Sequence, residues 1–592
     1  MRWVVIVFIL ILHALMLGWS AFTHSPLVDE PAHLVSGLSH WKHFSFDLYR
    51  VNPPLVRSIA VFPLYISQHE VDWKSYTDNP CNRTEFAVGF DFLRINARNF
   101  HILLFTSRLF CIPFSLLGAL ICYFWAREVF GNVSGLMAFL LWCFSPMVLA
   151  FGYTIMPDVA CAALGATACY FFWKWIKTPT WNLAILLGVV LGIAELTKFT
   201  LLVFYPIWTL ILGITIFLNR KHNAYQYVSV QIKQFVSIFV LSLFVINIGY
   251  GFEGSFTQLK NYDFVSRSLC GNTKWNYETG FTVTGNRFRG YLLGEIPVPL
   301  PANFVMGIDV QKKDFELGYP SYFWGEWSNE GWYQYYIVGL LIKEPLGFWC
   351  LFVYALIFSG ISQINRSSFV NEMMLFFPII VLLVLVSSQT RLNHHLRYVI
   401  PIFPFLFISI SRIGNIFYYK ERVNKVVIAL LLMWSLISSL SFYPHSQAHF
   451  NELIGSHRNA PKYLLGSNID WGQNMLYLSK WLKEHSNARP FHCYYKSLYQ
   501  NDQVNIIDGD VYFDMQPPNE PEPGWFALGV NEIYEMSKQC EYFKQFEPVN
   551  IIGYSVYIYH ITLDEANRVR QEMGLPDWKP LQIPQSEKEV VP

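Results

Sequence analysis

Two carboxylates stand side by side in the stretch Val28-Asp29-Glu30-Pro31-Ala32-His33, with a histidine shortly after them. The stretch follows an apolar run at 3–22, so both acids emerge where that run leaves a membrane. Carboxylates at a lipid boundary are costly unless they are solvated or paired. Partial desolvation lifts an aspartate toward working pH, which would make Asp29 a general base. The plain alternative is an acidic helix cap in water. A further acid, Asp158, sits in Met156-Pro157-Asp158, a short turn between two apolar runs. It either caps the following helix or faces the same cavity as Asp29.

Several cations fall near the same helix ends. Arg57 follows the turn Asn52-Pro53-Pro54-Leu55, where it could bind a lipid phosphate or merely snorkel. Lys198 lies three residues after Glu195 and could simply pair with it. Lys343 stands in Lys343-Glu344-Pro345, and Arg397 in His394-His395-Leu396-Arg397-Tyr398, with Arg391 just upstream. Ionisable residues within a membrane bundle are functional candidates by default. Cations suit an anionic lipid headgroup, and a carboxylate base suits an acceptor hydroxyl. The chemistry this implies is group transfer from a phosphate-linked lipid donor.

The elements that must carry these residues are membrane helices. The chain has 592 residues, 53% hydrophobic and 14% charged, against about a quarter charged in soluble domains. A net charge of +1 argues against a nucleic-acid partner. A spanning helix needs roughly 20 apolar residues. Runs near 3–22, 102–125, 134–152, 159–176, 182–197, 200–218, 235–251, 335–360, 372–388, 396–411 and 425–443 predict about eleven. A small-x-small pattern at Gly18-Trp19-Ser20 resembles a cleavage site, but the first run is long for a signal peptide and is expected to be retained.

With Arg2 inside, the helix count places the basic connections at Lys174–Lys177, Arg220–His222 and Lys420–Lys425 on the inner side as well. The loops 23–101 and 252–334, the 153–158 turn and everything after 444 then lie outside. The 23–101 loop contains Leu55–Ile66, apolar but too short to span and interrupted by Pro63, which predicts an interfacial helix.

The fold class expected is therefore mainly α: a polytopic helical bundle over 1–443, with a small exoplasmic α/β domain over 444–592. In that second part a helix is expected within 459–486 and strands at Trp525–Val530 and Val549–Tyr559, before a polar tail. Ten cysteines are scattered without a C-x-x-C pair, so no zinc site is read. Cys493 and Cys540 either pair in an oxidising compartment or remain buried thiols. Asn82-Arg83-Thr84 is a sequon only in a host that glycosylates it.

Asp29-Glu30, His33, Asn52-Pro53-Pro54-Leu55 and Arg57, followed by Asp158 in the next short turn, resemble the first-loop pattern of the GT-C membrane glycosyltransferases. The branch is that of protein O-mannosyltransferases and the aminoarabinose transferase of lipid A. Leu196-Thr197-Lys198-Phe199-Thr200, Leu396-Arg397-Tyr398-Val399-Ile400-Pro401 and Ser467-Asn468-Ile469-Asp470-Trp471-Gly472-Gln473 are similar to stretches of bacterial relatives. The C-terminal part lacks the lectin-like insertion of eukaryotic O-mannosyltransferases, which leaves the acceptor open between lipid, glycan and protein.

The resemblance implies a polyprenyl-phosphate sugar donor, inverting transfer on the exoplasmic face, and no cofactor, with a divalent metal left open. Asp29, Glu30 and Asp158 would be catalytic. His33, Arg57, Lys198, Lys343 and Arg397 would hold the substrate or its lipid phosphate. The bacterial likeness suggests an inner membrane with the site facing the periplasm. A lipid-sugar transporter or a non-catalytic scaffold is the alternative. Transporters place charges at the midplane of paired repeats, whereas these gather at one face.

Overall fold

The computed structural model describes residues 2–218, 225–271, 284–361, 369–418, 422–499, 510–513 and 516–579. Eight described helices are long and apolar enough to cross a membrane. A further pair, Tyr335–Lys343 and Leu346–Ile357, is apolar enough when taken together and is bent by 109°, the geometry of a broken span or a re-entrant loop. Two shorter apolar helices, Asn132–Cys143 and Trp181–Glu195, account for the remaining expected runs. The chain is a multi-pass integral membrane protein. The basic connections at 220–222 and 420–421 lie outside the described residues.

Burial divides the spans into a centre and a rim. The most apolar window of Leu396–Phe417 is 94% buried and that of Asp158–Lys177 is 83% buried, against 17% for Arg422–Leu440 and 33% for Trp3–Thr23. The rim helices present their Leu, Val and Ile side chains outward, as lipid-facing helices must. The two central helices begin with the residues singled out for chemistry, Asp158 and Arg397.

Close packing of the bundle relies on small residues. On Trp181–Glu195, Gly188 and Gly192 form a small-xxx-small stripe against Tyr225–Gly249. A Cβ at Gly192 would meet Val245 Cβ at 2.5 Å and the Ser242 carbonyl at 2.8 Å. The sharp bend at Lys343-Glu344-Pro345 follows from Pro345, which forces the preceding residue out of helical geometry; Glu344 is extended, with ψ 146°.

The first loop is largely helical. Glu30–His43 begins with Pro31 in its first turn and ends at Phe44 in the left-handed region. The expected interfacial segment splits into Leu55–Ala60 and Phe62–Tyr65, broken at Val61, two residues before Pro63. In the second loop the helix Ala302–Leu317 gathers its surroundings. Asp309 accepts hydrogen bonds from the amides of Val265 (2.6 Å) and Ser266 (3.0 Å). A two-stranded hairpin, β1 (Ser321–Phe323) and β2 (Glu326–Ser328), closes that loop.

The chain divides into two compact units, Met1–Gln473 and Asn474–Pro592. The first therefore continues past the last apolar helix, because the 445–473 segment is hydrogen-bonded into it, for example through Asn451 and Asn468. The second unit carries a five-stranded sheet in the order β4-β3-β5-β7-β6. Its strands are β3 (Phe491–Tyr494), β4 (Val511–Phe513), β5 (Gly524–Gly529), β6 (Asn550–Ile552) and β7 (Val556–Ile561). The pairs of β3 with β4 and β5 are parallel; those of β7 with β5 and β6 are antiparallel. Helices Met475–Glu484 and Leu563–Glu572 complete it, the second opened by a Thr562/Glu565 capping box. The two expected strand segments match β5 and the β6–β7 pair. No disulfide joins Cys493 and Cys540 among the described residues.

Candidate active site

A cavity of about 610 Å³ opens at one end of the first unit. It is lined by the first loop at Asp29, His33 and Asn52, by Asp158 and Lys198 at helix ends, and by Arg397 and Trp471. Each arrives for a local reason. Asp29 is the residue before helix Glu30–His43, and Asp158 opens the first turn of its helix after Pro157. Lys198 sits in extended backbone at the break between Trp181–Glu195 and Phe199–Val203. Arg397 lies in the tight 3-10 turn that starts its span.

Arg397 bridges the two aspartates. Its Nη2 lies 3.3 Å from Asp29 Oδ2 and its Nε 3.6 Å from Asp158 Oδ2. Lys198 Nζ donates to Asp158 Oδ1 at 2.5 Å and lies 4.4 Å from the centre of the Tyr398 ring. These side chains are nearly buried: Arg397 and Lys198 are each 6% exposed, Asp158 2% and Asp29 17%. Lys198 pairs with Asp158 rather than with Glu195, whose two carboxylate oxygens are buried without a hydrogen-bond partner.

The electrostatics favour a base at Asp29. Burial pushes its carboxyl up from the ordinary aspartate value of 3.8, the Arg397 guanidinium opposes that rise, and the Asp158 charge adds to it. His33 is held well below the ordinary imidazole value by burial, and the guanidiniums of Arg57, Arg397 and Arg83 push it the same way. It is therefore neutral. Its ring packs against Tyr49 with centres 4.7 Å apart. His33 Nδ1, Asn52 Oδ1 and Arg397 Nη1 make no hydrogen bond within the protein, although all three residues line the cavity.

Three expected residues lie outside this lining. Glu30 is fully buried against Arg108, whose guanidinium donates to Oε1 at 3.0 Å and Oε2 at 2.5 Å. Arg108 also donates to the carbonyls of Ala21, His24 and Ser25. The pair thus ties the end of the first helix to the turn bearing Asp29. Arg57 points its guanidinium at the carbonyls of Tyr49 (2.8 Å), Val51 (3.1 Å) and Asn52, and stacks 4.5 Å from the Tyr49 ring. It latches the turn in which Asn52 adopts φ 67°. Lys343 donates to the carbonyls of Gln447 (2.7 Å) and Asn468 (2.6 Å), which ties the end of its helix to the 445–473 segment.

Other residues reach the cavity without having been anticipated. Arg83 pairs with Glu85 (2.5 Å) and with Asp314 (2.7 Å), and Asp314 is also a lining residue. In the sequence Arg83 is hidden inside an apparent sequon. Arg108 could have been found: a lone arginine within the apolar run 102–125 demands a buried partner. Among the described residues no cluster of His, Cys, Asp and Glu has the makings of a metal site.

A second, apolar groove of about 270 Å³ adjoins the cavity, sharing Lys198, Gln311 and Tyr398 with it. Phe199, Leu202, Ile308, Phe315, Leu385 and Val386 supply its apolar wall.

Residues 91–250 match the family model of dolichyl-phosphate-mannose-protein mannosyltransferase. That stretch includes Arg108, Asp158 and Lys198. Over it the chain is similar to a family of membrane glycosyltransferases, in agreement with the resemblance carried by the first-loop motif. Among solved structures, ArnT from Cupriavidus metallidurans in the apo state is 12% identical over 94% of this chain and 97% of its own, with a TM-score of 0.39. The same protein bound to undecaprenyl phosphate is 10% identical over the same shares, at 0.43. The Archaeoglobus fulgidus oligosaccharyltransferase, in complex with zinc and sulfate, is 13% identical over 86% of this chain and 59% of its own, at 0.39. No curated protein matches.

Proposed function

We propose that this protein is an inverting glycosyltransferase that moves a sugar from a polyprenyl-phosphate donor to an acceptor hydroxyl at the exoplasmic, in bacteria periplasmic, face of its membrane. The observation that carries it is the buried cluster of Asp29, Asp158, Lys198 and Arg397 in a cavity that adjoins an apolar groove. A donor with a charged phosphate and a long hydrocarbon tail has chemistry matching both: cations for the phosphate and an apolar wall for the tail.

Asp29 takes the proton of the acceptor hydroxyl as its oxygen attacks the anomeric carbon. A new C–O bond forms there while the bond from that carbon to the phosphate oxygen breaks. The electron pair stays on the phosphate, which leaves with a second negative charge. Arg397 and Lys198 stabilise that charge, the main demand of the step. Asp158 holds both cations in place. Glu30 and Arg57, expected as site residues, act instead by shaping the loop that carries Asp29 and Asn52, and Lys343 by fixing the bent helix pair. His33 and Asn52 line the cavity beside Asp29, on the side where the sugar would sit.

The test is transfer of label from a panel of polyprenyl-phosphate sugars into membranes, comparing the wild type with Asp29→Asn. Label that appears in an acceptor with the wild type and disappears with the variant supports the proposal. Equal transfer by both removes Asp29 as the base.

A further inference from the structure

Arg397 pairs with two carboxylates through Nη2 and Nε, and a side chain this long and flexible needs a further contact to fix its pose. We infer that Trp471, with Ser467 and Asn468, is the positioning element that holds Arg397 toward the cavity; this rests on Arg397 being the cation that receives the donor phosphate. The guanidinium carbon of Arg397 lies 4.2 Å from the centre of the Trp471 ring. Tryptophan offers the strongest π face for a cation. The same ring packs against His395, with centres 5.0 Å apart.

The segment bearing Trp471 grips the residues leading into Arg397 one after another. Asn468 Nδ2 donates to the His394 carbonyl at 3.2 Å. His395 Nδ1 lies 2.5 Å from Ser467 Oγ. Asn468 Oδ1 accepts from the Leu396 amide at 3.0 Å. Backbone, imidazole and guanidinium are thus set from a single short stretch of chain.

That stretch is itself fixed. Gln473 Oε1 accepts from the Trp471 amide (2.6 Å), and its Nε2 donates to the Ile469 carbonyl (3.0 Å). Gln447 donates to the Ser467 carbonyl at 2.9 Å, and Lys343 to that of Asn468 at 2.6 Å. With the ring in place, Nη2 reaches Asp29 while Nη1 keeps no partner in the protein.

The experiment compares Trp471→Leu with Trp471→Phe, alone and with Arg397→Gln. Two readouts are taken on purified, detergent-solubilised protein: donor kcat/KM, and labelling of Arg397 by phenylglyoxal, followed by peptide mass. Trp471→Leu should lower kcat/KM by about thirtyfold, the scale of a desolvated cation–π contact, and Trp471→Phe should recover most of it. Labelling of Arg397 should quicken in Trp471→Leu and stay slow in Trp471→Phe. In the Arg397→Gln background, Trp471→Leu should cost nothing more.

Unchanged kcat/KM and labelling in Trp471→Leu would overturn the inference, as would an additive loss in the double variant. Should Trp471→Leu fail to fold, Trp471→Met, which keeps apolar bulk without a ring, carries the same comparison. If the wild type transfers no sugar, the proposed function falls, while the labelling still reports whether Trp471 holds Arg397.

Discussion

In the proposed reaction Asp29 is the base, and its surroundings make opposed demands on its proton. Burial favours the neutral acid; Arg397 favours the carboxylate. A general base is active only when deprotonated, so transfer should fall on acidification with a midpoint above 3.8, the ordinary aspartate value. Arg397→Gln removes the opposing cation and should move that midpoint to still higher pH, besides lowering the rate; a pH profile of kcat/KM for both proteins checks the sign. Asp29→Asn keeps the shape and removes the base, for an expected loss of roughly a hundredfold or more in kcat with normal membrane insertion. Its neighbour should behave differently. Glu30→Ala leaves the buried Arg108 charge without its carboxylate, which costs about 3–5 kcal/mol. A large fall in melting temperature is therefore expected there and not in Asp29→Asn.

At the level of the helices, two devices position the site. One is the glycine stripe on Trp181–Glu195, which lets that helix and Tyr225–Gly249 approach closely just before Lys198. Gly192→Val should destabilise the protein by about 1–3 kcal/mol through overpacking, read as a lower melting temperature and less folded protein in membranes. The other is the bent helix pair at Lys343-Glu344-Pro345. Proline and Glu344 open the helix, and Lys343 then covers two carbonyls of the following segment. Pro345 explains the bend, and the carbonyls of Gln447 and Asn468 explain why a buried lysine is tolerated there.

Across the whole first unit, burial and function coincide. Its two most enclosed spans begin at Asp158 and beside Arg397, so two of the four charges of the proposed site rest on the most buried part of the bundle. The apolar groove beside them runs past Leu385, which is 36% exposed on the outer surface of its helix. A bulky ring there should obstruct a long hydrocarbon tail and spare a short one. Leu385→Trp is expected to raise the donor KM for long polyprenyl phosphates and to leave that for a short-chain analogue near the wild type; equal KM values for the long donor in both proteins would detach the groove from the lipid.

The helical class, the eleven apolar runs and the carboxylates at 29 and 158 were legible from the chain alone. A thick band of lipid imposes its length on every span, and charges beside that band stand out against it. Short strands β3 and β4 were not legible: three or four residues carry too little periodicity, and β4 adjoins a stretch beyond the described residues. The distribution of roles among the charges was hidden for another reason. Glu30 and Asp29 are neighbours in the chain, yet one side chain turns inward to Arg108 and the other toward the cavity. Arg57 and Lys343 have the type and depth of phosphate ligands, but backbone carbonyls reach them first. Which partner a buried cation finds depends on segments hundreds of positions away, as with Arg397 and Asp29. Spacing along the chain holds no record of that choice; it is made when the helices pack.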